Sequence, residues 1–340
     1  MSEGLDRYVR QVIFPGVGQE GQRRLLASAV AVIGCGATGS ILANNLVRAG
    51  VGRVRIIDRD YIELNNLQRQ TLFDEEDIAR GLPKAVAAAE KLRRVNSGVE
   101  IEPLVADVNY DNVEGLMGDV DLVLDGTDNF ETRFLINDAC VKLGVPWIYS
   151  GVIASYGMTM NIVPHQTPCL RCIFPQAPPP GTTPTCDTAG VLNATAGVIA
   201  SMASAEALKL LLGRGEPNPG LVHVDLWENT FEVFQASRRD DCPTCGQGRY
   251  EYLEAQEGAR ATVLCGRDAV QVRVRSGREL SLPALAQRLE SAGEVTFNEY
   301  LLRFKVDGYE LTVFPDARAI IKGTSDEAVA RSLYARYIGV

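Results

Sequence analysis

The sequence predicts an α/β chain: a doubly wound, mostly parallel sheet, an antiparallel extension, and a small α+β domain at the C-terminal end. Three observations predict it. Short apolar runs alternate with segments of helical spacing from residue 29 to residue 150. A glycine-rich turn follows the first of those runs. After Ser155 the pattern changes to the alternation expected of antiparallel strands. Strand–helix alternation requires crossover connections, and these bury a parallel sheet between helices.

Residues 29–33 (Ala-Val-Ala-Val-Ile) read as a buried strand, and Ser40 to Ala49 as a helix stopping at Gly50. Residues 53–57 read as the second strand, ending at Asp58, followed by a helix over 84–94 and a strand over 100–105. A strand over 120–125, a helix over 130–143 and a strand over 146–150 complete the alternation. Residues 156–164 and 221–235 read as antiparallel strands. Between them lie a Pro- and Thr-rich stretch over 175–185, read as a mobile loop over a site, and a small-residue helix over 191–212. Residues 255–340 read as a separate small domain. Strand patterns occur at 269–274, 301–306, 309–314 and 318–321, with helices at 283–291 and 326–337. The domains are therefore placed at 1–250 and 255–340.

Composition bounds the function. The 340 residues carry 46% hydrophobic and 23% charged side chains, ordinary for a globular protein. The net charge of −9 argues against generic nucleic-acid binding, which favours basic surfaces. Charges near the N-terminus stand where an export signal needs an apolar core, and the 191–213 stretch is interrupted by Asn193, Glu206 and Lys209. The expectation is a cytoplasmic protein with no membrane span. With only two histidines, chemistry built on several imidazoles is excluded.

Gly34-Cys35-Gly36-Ala37-Thr38-Gly39 fits Gly-x-Gly-x-x-Gly between a strand and a helix, the Rossmann-like arrangement. Glycine lets phosphate approach backbone N–H groups at a helix N-terminus. Asp58 closes the next strand, where a carboxylate binds ribose hydroxyls. The turn alone does not separate NAD from ATP. Further on stand Asn65-Asn66-Leu67-Gln68-Arg69-Gln70, Lys84 and Gly126-Thr127-Asp128-Asn129; near the start stands Arg7-Tyr8-Val9-Arg10-Gln11. Hydride transfer has no need of so many cations beside a carboxylate. An ATP triphosphate does: Arg and Lys neutralise it, and a carboxylate holds Mg²⁺. For each residue a plainer duty stays open: Asp128 as a helix cap, Asn66 as a turn former, and Arg10, Arg69 and Lys84 as solvated charges.

These ordered motifs, from about residue 5 to 250, resemble the MoeB/ThiF adenylyltransferases that activate ubiquitin-like sulfur carriers. The resemblance implies that Gly34, Gly36, Gly39 and Asp58 hold the adenosine end of ATP. It implies that Asn66, Arg69 and Lys84 contact phosphates, that Asp128 binds Mg²⁺, and that Arg10 reaches the other subunit of a homodimer. The implied substrate is the C-terminal carboxylate of a Gly-Gly tail on a small carrier protein, activated for sulfur transfer in molybdopterin, thiamin or related biosynthesis. No sulfurtransferase domain is recognisable, so a separate protein would donate sulfur. An NAD-dependent oxidoreductase, a non-catalytic zinc scaffold and a relative acting on tRNA are the alternatives.

The chain has eight cysteines, of which Cys169-x-x-Cys172 and Cys242-x-x-Cys245 form two knuckles able to supply four thiolates to a structural Zn²⁺. The family resemblance adds that many members hold zinc at matching pairs. Cys186, beyond the Pro-rich stretch, matches a thiamin-branch cysteine that bonds covalently to the carrier, and it is read as a thiol nucleophile beside the alternative of a loop residue. Cys35, Cys140 and Cys265 read as packing residues.

Overall fold

The computed structural model describes residues 4–178, 186–254, 261–264, 268–272 and 280–339. The chain divides into two compact units, Met1–Ala255 and Gln256–Val340.

In the first unit one sheet contains β1 (Ala29–Ile33), β2 (Arg53–Ile57), β3 (Glu100–Leu104), β4 (Leu122–Asp125), β5 (Trp147–Ile153), β6 (Tyr156–Ile162), β7 (Leu221–Asp225) and β8 (Thr230–Phe234). Their order is β3-β2-β1-β4-β5-β6-β7-β8. The strands from β3 to β5 are parallel, and β5 to β8 pair antiparallel. β1 reads as an unbroken apolar run because Val30 to Ile33 are all buried in the middle of the parallel part. Ile33 pairs with Ile57 on one side and Asp125 on the other. The three strands therefore end level, and Gly34, Asp58 and Gly126 emerge side by side at the point where strand order reverses.

Helices Ala37–Ala49, Lys84–Val95, Phe130–Leu143 and Asn193–Leu212 join these strands or cover them. The Asn193–Leu212 helix is long and apolar enough to cross a membrane by length and composition. It packs on the Ala37–Ala49 helix and on β5 and β6, burying Ala196, Ile199, Ala200, Ala203 and Ala207. Around Trp147 and Phe134, both fully buried, the core of the sheet joins the Phe130–Leu143 helix.

The structure departs from the periodicity in places with physical causes. The first crossover helix begins at Ala37, three residues before its apolar spacing starts, because Thr38, Gly39 and Ser40 are buried by smallness rather than hydrophobicity. Residues 221–235 form a hairpin instead of one strand: the Asp225 carboxylate accepts the Trp227 and Glu228 N–H groups at 2.9 and 3.2 Å and turns the chain. The Gly18–Ala27 helix is hidden in the sequence by buried Gln22, whose amide donates to Ala49 O at 2.9 Å.

The second unit is a six-stranded antiparallel sheet of β9 (Ala261–Leu264), β10 (Ala269–Val272), β11 (Glu294–Phe297), β12 (Leu302–Val306), β13 (Tyr309–Val313) and β14 (Ala319–Lys322), in the order β11-β12-β13-β14-β10-β9. Helices Leu282–Leu289 and Glu327–Tyr337 share one core with Phe304, Leu311 and Ile321. β11 escapes the pattern because most of its side chains are exposed. Cys265, and residues 179–185 of the Pro-rich stretch, lie outside the described residues.

Candidate nucleotide-binding site

The glycine turn is assembled by close backbone approach. Gly34 has φ +85° and donates to Ile57 O at 2.7 Å, while Gly126 donates to Ile33 O at 2.7 Å. A Cβ on Gly39 would lie 1.9 Å from Gly34 O, and one on Gly126 would lie 2.5 Å from the same atom. The ends of β1 and β4 and the start of the helix thus interlock through three residues without side chains. Gly36 differs. A Cβ there would meet nothing nearer than Gln70 Nε2 at 3.9 Å and Gly126 O at 4.0 Å. Packing within the chain does not demand glycine at 36, and the open space lies at the N-terminus of the Ala37–Ala49 helix, where backbone N–H groups attract anions.

Asp58 is buried, with Oδ2 accepting Cys35 N–H at 2.6 Å and Oδ1 accepting Asp60 N–H at 2.7 Å. Burial raises its pKa and Asp60 adds to this, while the Lys84 ammonium opposes both. Lys84 is also buried. Its N–H donates to Asp60 O at 2.9 Å, and its Nζ stands 3.3 Å from Asp60 Oδ2. Arg59 joins the same group through Asp107 Oδ1 at 2.8 Å. Burial works against its charge, but Asp107, Asp60 and Asp128 more than restore it. Sequence reasoning singled out neither Arg59 nor Asp107, for a charge after a strand carries no motif.

Asn66 is buried and shapes its turn: Oδ1 accepts Glu63 N–H at 3.1 Å, and Nδ2 donates to Asn65 Oδ1 at 3.0 Å. It therefore does carry the turn-forming duty. Arg69 is partly exposed, and its Nη1 donates to Asn65 O at 2.8 Å. Asp128 is not the helix cap. Asn129 is, accepting Thr132 N–H at 2.9 Å; among the described residues the Asp128 carboxylate accepts one hydrogen bond, from Asn129 Nδ2 at 3.5 Å.

The turn that carries Asp128 is clamped from behind. Arg133 is buried, with Nε donating to Asp125 Oδ2 at 3.0 Å and Nη2 donating to Thr127 O at 2.6 Å and Ser150 O at 3.1 Å. Asp125 also accepts Thr127 N–H at 2.8 Å and Thr127 Oγ1–H at 2.6 Å. The guanidinium lies 5.4 Å from the Phe130 and Tyr149 ring centres. The periodicity hides this arginine among the buried face of an apolar helix.

Arg10 does not join the site of its own chain. Its neighbour Gln11 donates to Ala49 O at 2.8 Å, at the far end of the 13-residue helix that starts at the glycine turn, a span of about 20 Å. Cys186 opens the short Cys186–Ala189 helix with Sγ 3.7 Å from Val152 O, near the end of β5. Cys35 and Cys140 are fully buried, and burial raises both thiols, as packing residues require.

The two knuckles meet. Sγ atoms of Cys169, Cys172, Cys242 and Cys245 all lie within 4.8 Å of one another, with Cys169–Cys242 at 3.6 Å and Cys172–Cys245 at 3.4 Å. A hydrogen bond from Cys169 draws the Cys172 thiol down to about 5, while the same bond and burial push Cys169 up. Four thiolates at this spacing repel one another unless a cation lies between them, and the donor set and spacing suit tetrahedral zinc.

A crevice at the carboxyl ends of parallel strands, opened where their order reverses and floored by a glycine turn, defines a nucleotide-binding α/β domain of the Rossmann type. Residues 8–244 match the ThiF family, and the chain belongs to it. It is 44% identical to the sulfur carrier protein ThiS adenylyltransferase of Bacillus subtilis, over 98% of this chain and 99% of that protein, so the likeness includes the second unit. It is 41% identical to the SAMP-activating enzyme E1 of Haloferax volcanii, over 74% of this chain and 92% of that one. Among solved structures, Escherichia coli MccB shares the fold at a TM-score of 0.64 and 23% identity, covering 73% of this chain and 74% of that chain.

Proposed function

We propose that the protein adenylylates the C-terminal carboxylate of a small ubiquitin-like sulfur carrier, using ATP and releasing pyrophosphate. The observation that carries the reading is the level ending of β1, β2 and β4, which gathers the glycine turn, Asp58, the Asp60–Lys84 pair and the Asp128 turn at one edge of the sheet. The strong likeness to an adenylyltransferase over the whole chain supports it.

A carboxylate oxygen attacks the α-phosphorus, the bond to the bridging oxygen breaks, and the acyl-adenylate and pyrophosphate form. Both reactants are anions, so the barrier is largely electrostatic, and the carboxylate needs no general base. Asp58 receives the ribose. Lys84 and Arg69 offset charge on the phosphates, and Asn66 holds the loop that aims Arg69. Asp128, whose carboxylate is not spent on capping, would hold Mg²⁺, which adds positive charge at the triphosphate when bound. Cys169, Cys172, Cys242 and Cys245 would hold a structural Zn²⁺.

Catalysis is assigned to residues 1–250, with residues 255–340 as an appended domain. Arg10, far from its own glycine turn, serves the site of a second copy in a homodimer. An extended Gly-Gly tail cannot add to β6, which is flanked by β5 and β7; the outer edge of β8 is open among the described residues. Trp227, Phe231 and Phe234 stand exposed beside it, an apolar face for the body of the carrier. Cys186, over the end of β5, acts after adenylylation: its sulfur attacks the acyl-adenylate carbonyl, a thioester forms, AMP leaves and the thiol proton passes to solvent, and a separate cytoplasmic donor brings the sulfur. Incubation with ATP, Mg²⁺ and purified carriers ending in Gly-Gly, followed by intact mass measurement, tests the core of this. A carrier heavier by one adenylyl group is expected. ATP bound tightly with no carrier ever modified would refute it.

A further inference from the structure

Gln70 holds a buried amide that the fold does not use. The residue is 3% exposed, and its Oε1 is enclosed with no hydrogen-bond partner. The main chain of Gln70 is fully engaged: its N–H donates to Asn66 O at 2.9 Å, and its carbonyl accepts Phe73 N–H at 3.2 Å. The side chain bonds to none of the described residues. Nearby, Asp58 is satisfied by two backbone N–H groups and Asn66 by Glu63 and Asn65. Burying a carboxamide without a partner is costly, and folds avoid it unless something else supplies the bond.

The enclosed Oε1 is an acceptor and is not paired by a phosphate; the group that faces open space is the nitrogen of the same amide. Gln70 Nε2 is the nearest atom to the Cβ that Gly36 lacks, at 3.9 Å. The amide therefore faces the one position in the glycine turn left open by the packing of the chain itself, at the N-terminus of a 13-residue helix. Two features, an open glycine surface and an amide nitrogen with no hydrogen bond to the described residues, border one space. Backbone N–H groups and a carboxamide N–H around that space form a set of hydrogen-bond donors suited to a phosphate oxygen.

We propose that Gln70 is a substrate-contacting residue, donating its side-chain N–H to a phosphate oxygen of the bound nucleotide over Gly36. This rests on the adenylylation reading and deepens it. With the ribose at Asp58, beside the turn, the first phosphate along the chain is the one seated there, and it is the phosphate attacked. A neutral donor is suited to this place, because it stabilises the extra charge of the five-coordinate phosphorus without repelling Lys84 or Arg69.

The test compares Gln70→Leu and Gln70→Glu with the full-length wild-type protein, reading thermal melting without ligand, calorimetric binding of Mg·ATP, and carrier-dependent ATP–pyrophosphate exchange. The Gln70→Leu variant loses no bond within the protein, so its melting temperature should match or exceed that of the wild type. Its ATP Kd should rise about tenfold, as expected on losing one hydrogen bond to a charged group, and exchange should fall about 10²-fold. Gln70→Glu should bind ATP more weakly than Gln70→Leu, since a carboxylate repels phosphate. A marked fall in the melting temperature of Gln70→Leu, or ATP binding by both variants equal to wild type, overturns the assignment of Gln70 alone. Wild-type protein that does not bind Mg·ATP overturns the adenylylation reading and this assignment with it.

Discussion

Gly36→Ala separates two reasons for a glycine. The added methyl group finds 3.9 Å to Gln70 Nε2 and 4.0 Å to Gly126 O, which is ordinary van der Waals contact or more, so the empty protein has room for it. Gly39→Ala, by contrast, would set a methyl carbon 1.9 Å from Gly34 O, and the turn could not close. Folding stability of Gly36→Ala should therefore stay within about 0.5 kcal/mol of wild type. Ligand binding should not. A phosphate oxygen hydrogen-bonded to the backbone at about 2.9 Å has to lie against the Gly36 surface, where the methyl now stands. Losing one or two charge-assisted bonds at about 1.5–3 kcal/mol each corresponds to a Kd for Mg·ATP higher by roughly 10² or more. Calorimetry with Mg·ATP beside a thermal melt gives both readings. A Gly36→Ala protein that melts normally and binds ATP like wild type would refute the claim that phosphate sits over this glycine.

Arg69→Ala, Lys84→Ala and Asp128→Ala should each slow carrier-dependent ATP–pyrophosphate exchange by about 10²–10³-fold, the usual cost of one preorganised electrostatic contact; normal exchange in all three would empty the electrostatic argument. Elemental analysis should find one zinc per chain, and Cys242→Ser should melt well below wild type, because a metal that joins distant segments contributes folding energy directly. A zinc-free protein of unchanged stability would count against the metal. Mixing Arg10→Ala with Asp128→Ala protein should restore activity, about half of wild type per mixed dimer, since each such dimer has one intact site; no recovery in a demonstrated mixed dimer would confine Arg10 to its own chain or to no site. Cys186→Ala should leave exchange intact while stopping complete sulfur transfer, and full sulfur transfer by the variant would remove the thiol from the pathway.

The parallel sheet was legible because its strands are short, apolar and closely spaced, and the glycine turn because Gly34 and Gly39 answer to backbone contacts that admit nothing else. The knuckles were legible as pairs. Only the fold could show that segments 73 residues apart bring Cys169 to Cys242 and Cys172 to Cys245. What sequence did not yield has a common cause: its signal is tertiary. Arg133 and Asp125 sit among apolar neighbours and become a pair only when β4, β5 and the following helix pack together. Gln70 stands inside a motif without a duty of its own, because an amide is noticed only once it is seen to be buried and unbonded. Arg10 could be attached to the site only through a second chain, since its own lies a helix length away.

Arg133 grips Thr127 and Ser150 by the same nitrogen, Nη2. That shared atom makes the ends of β4 and β5 a single lever. Any displacement of β5 near Ser150 is transmitted within one residue's reach to the loop bearing Asp128. The two strand ends are thus tied together through one guanidinium nitrogen.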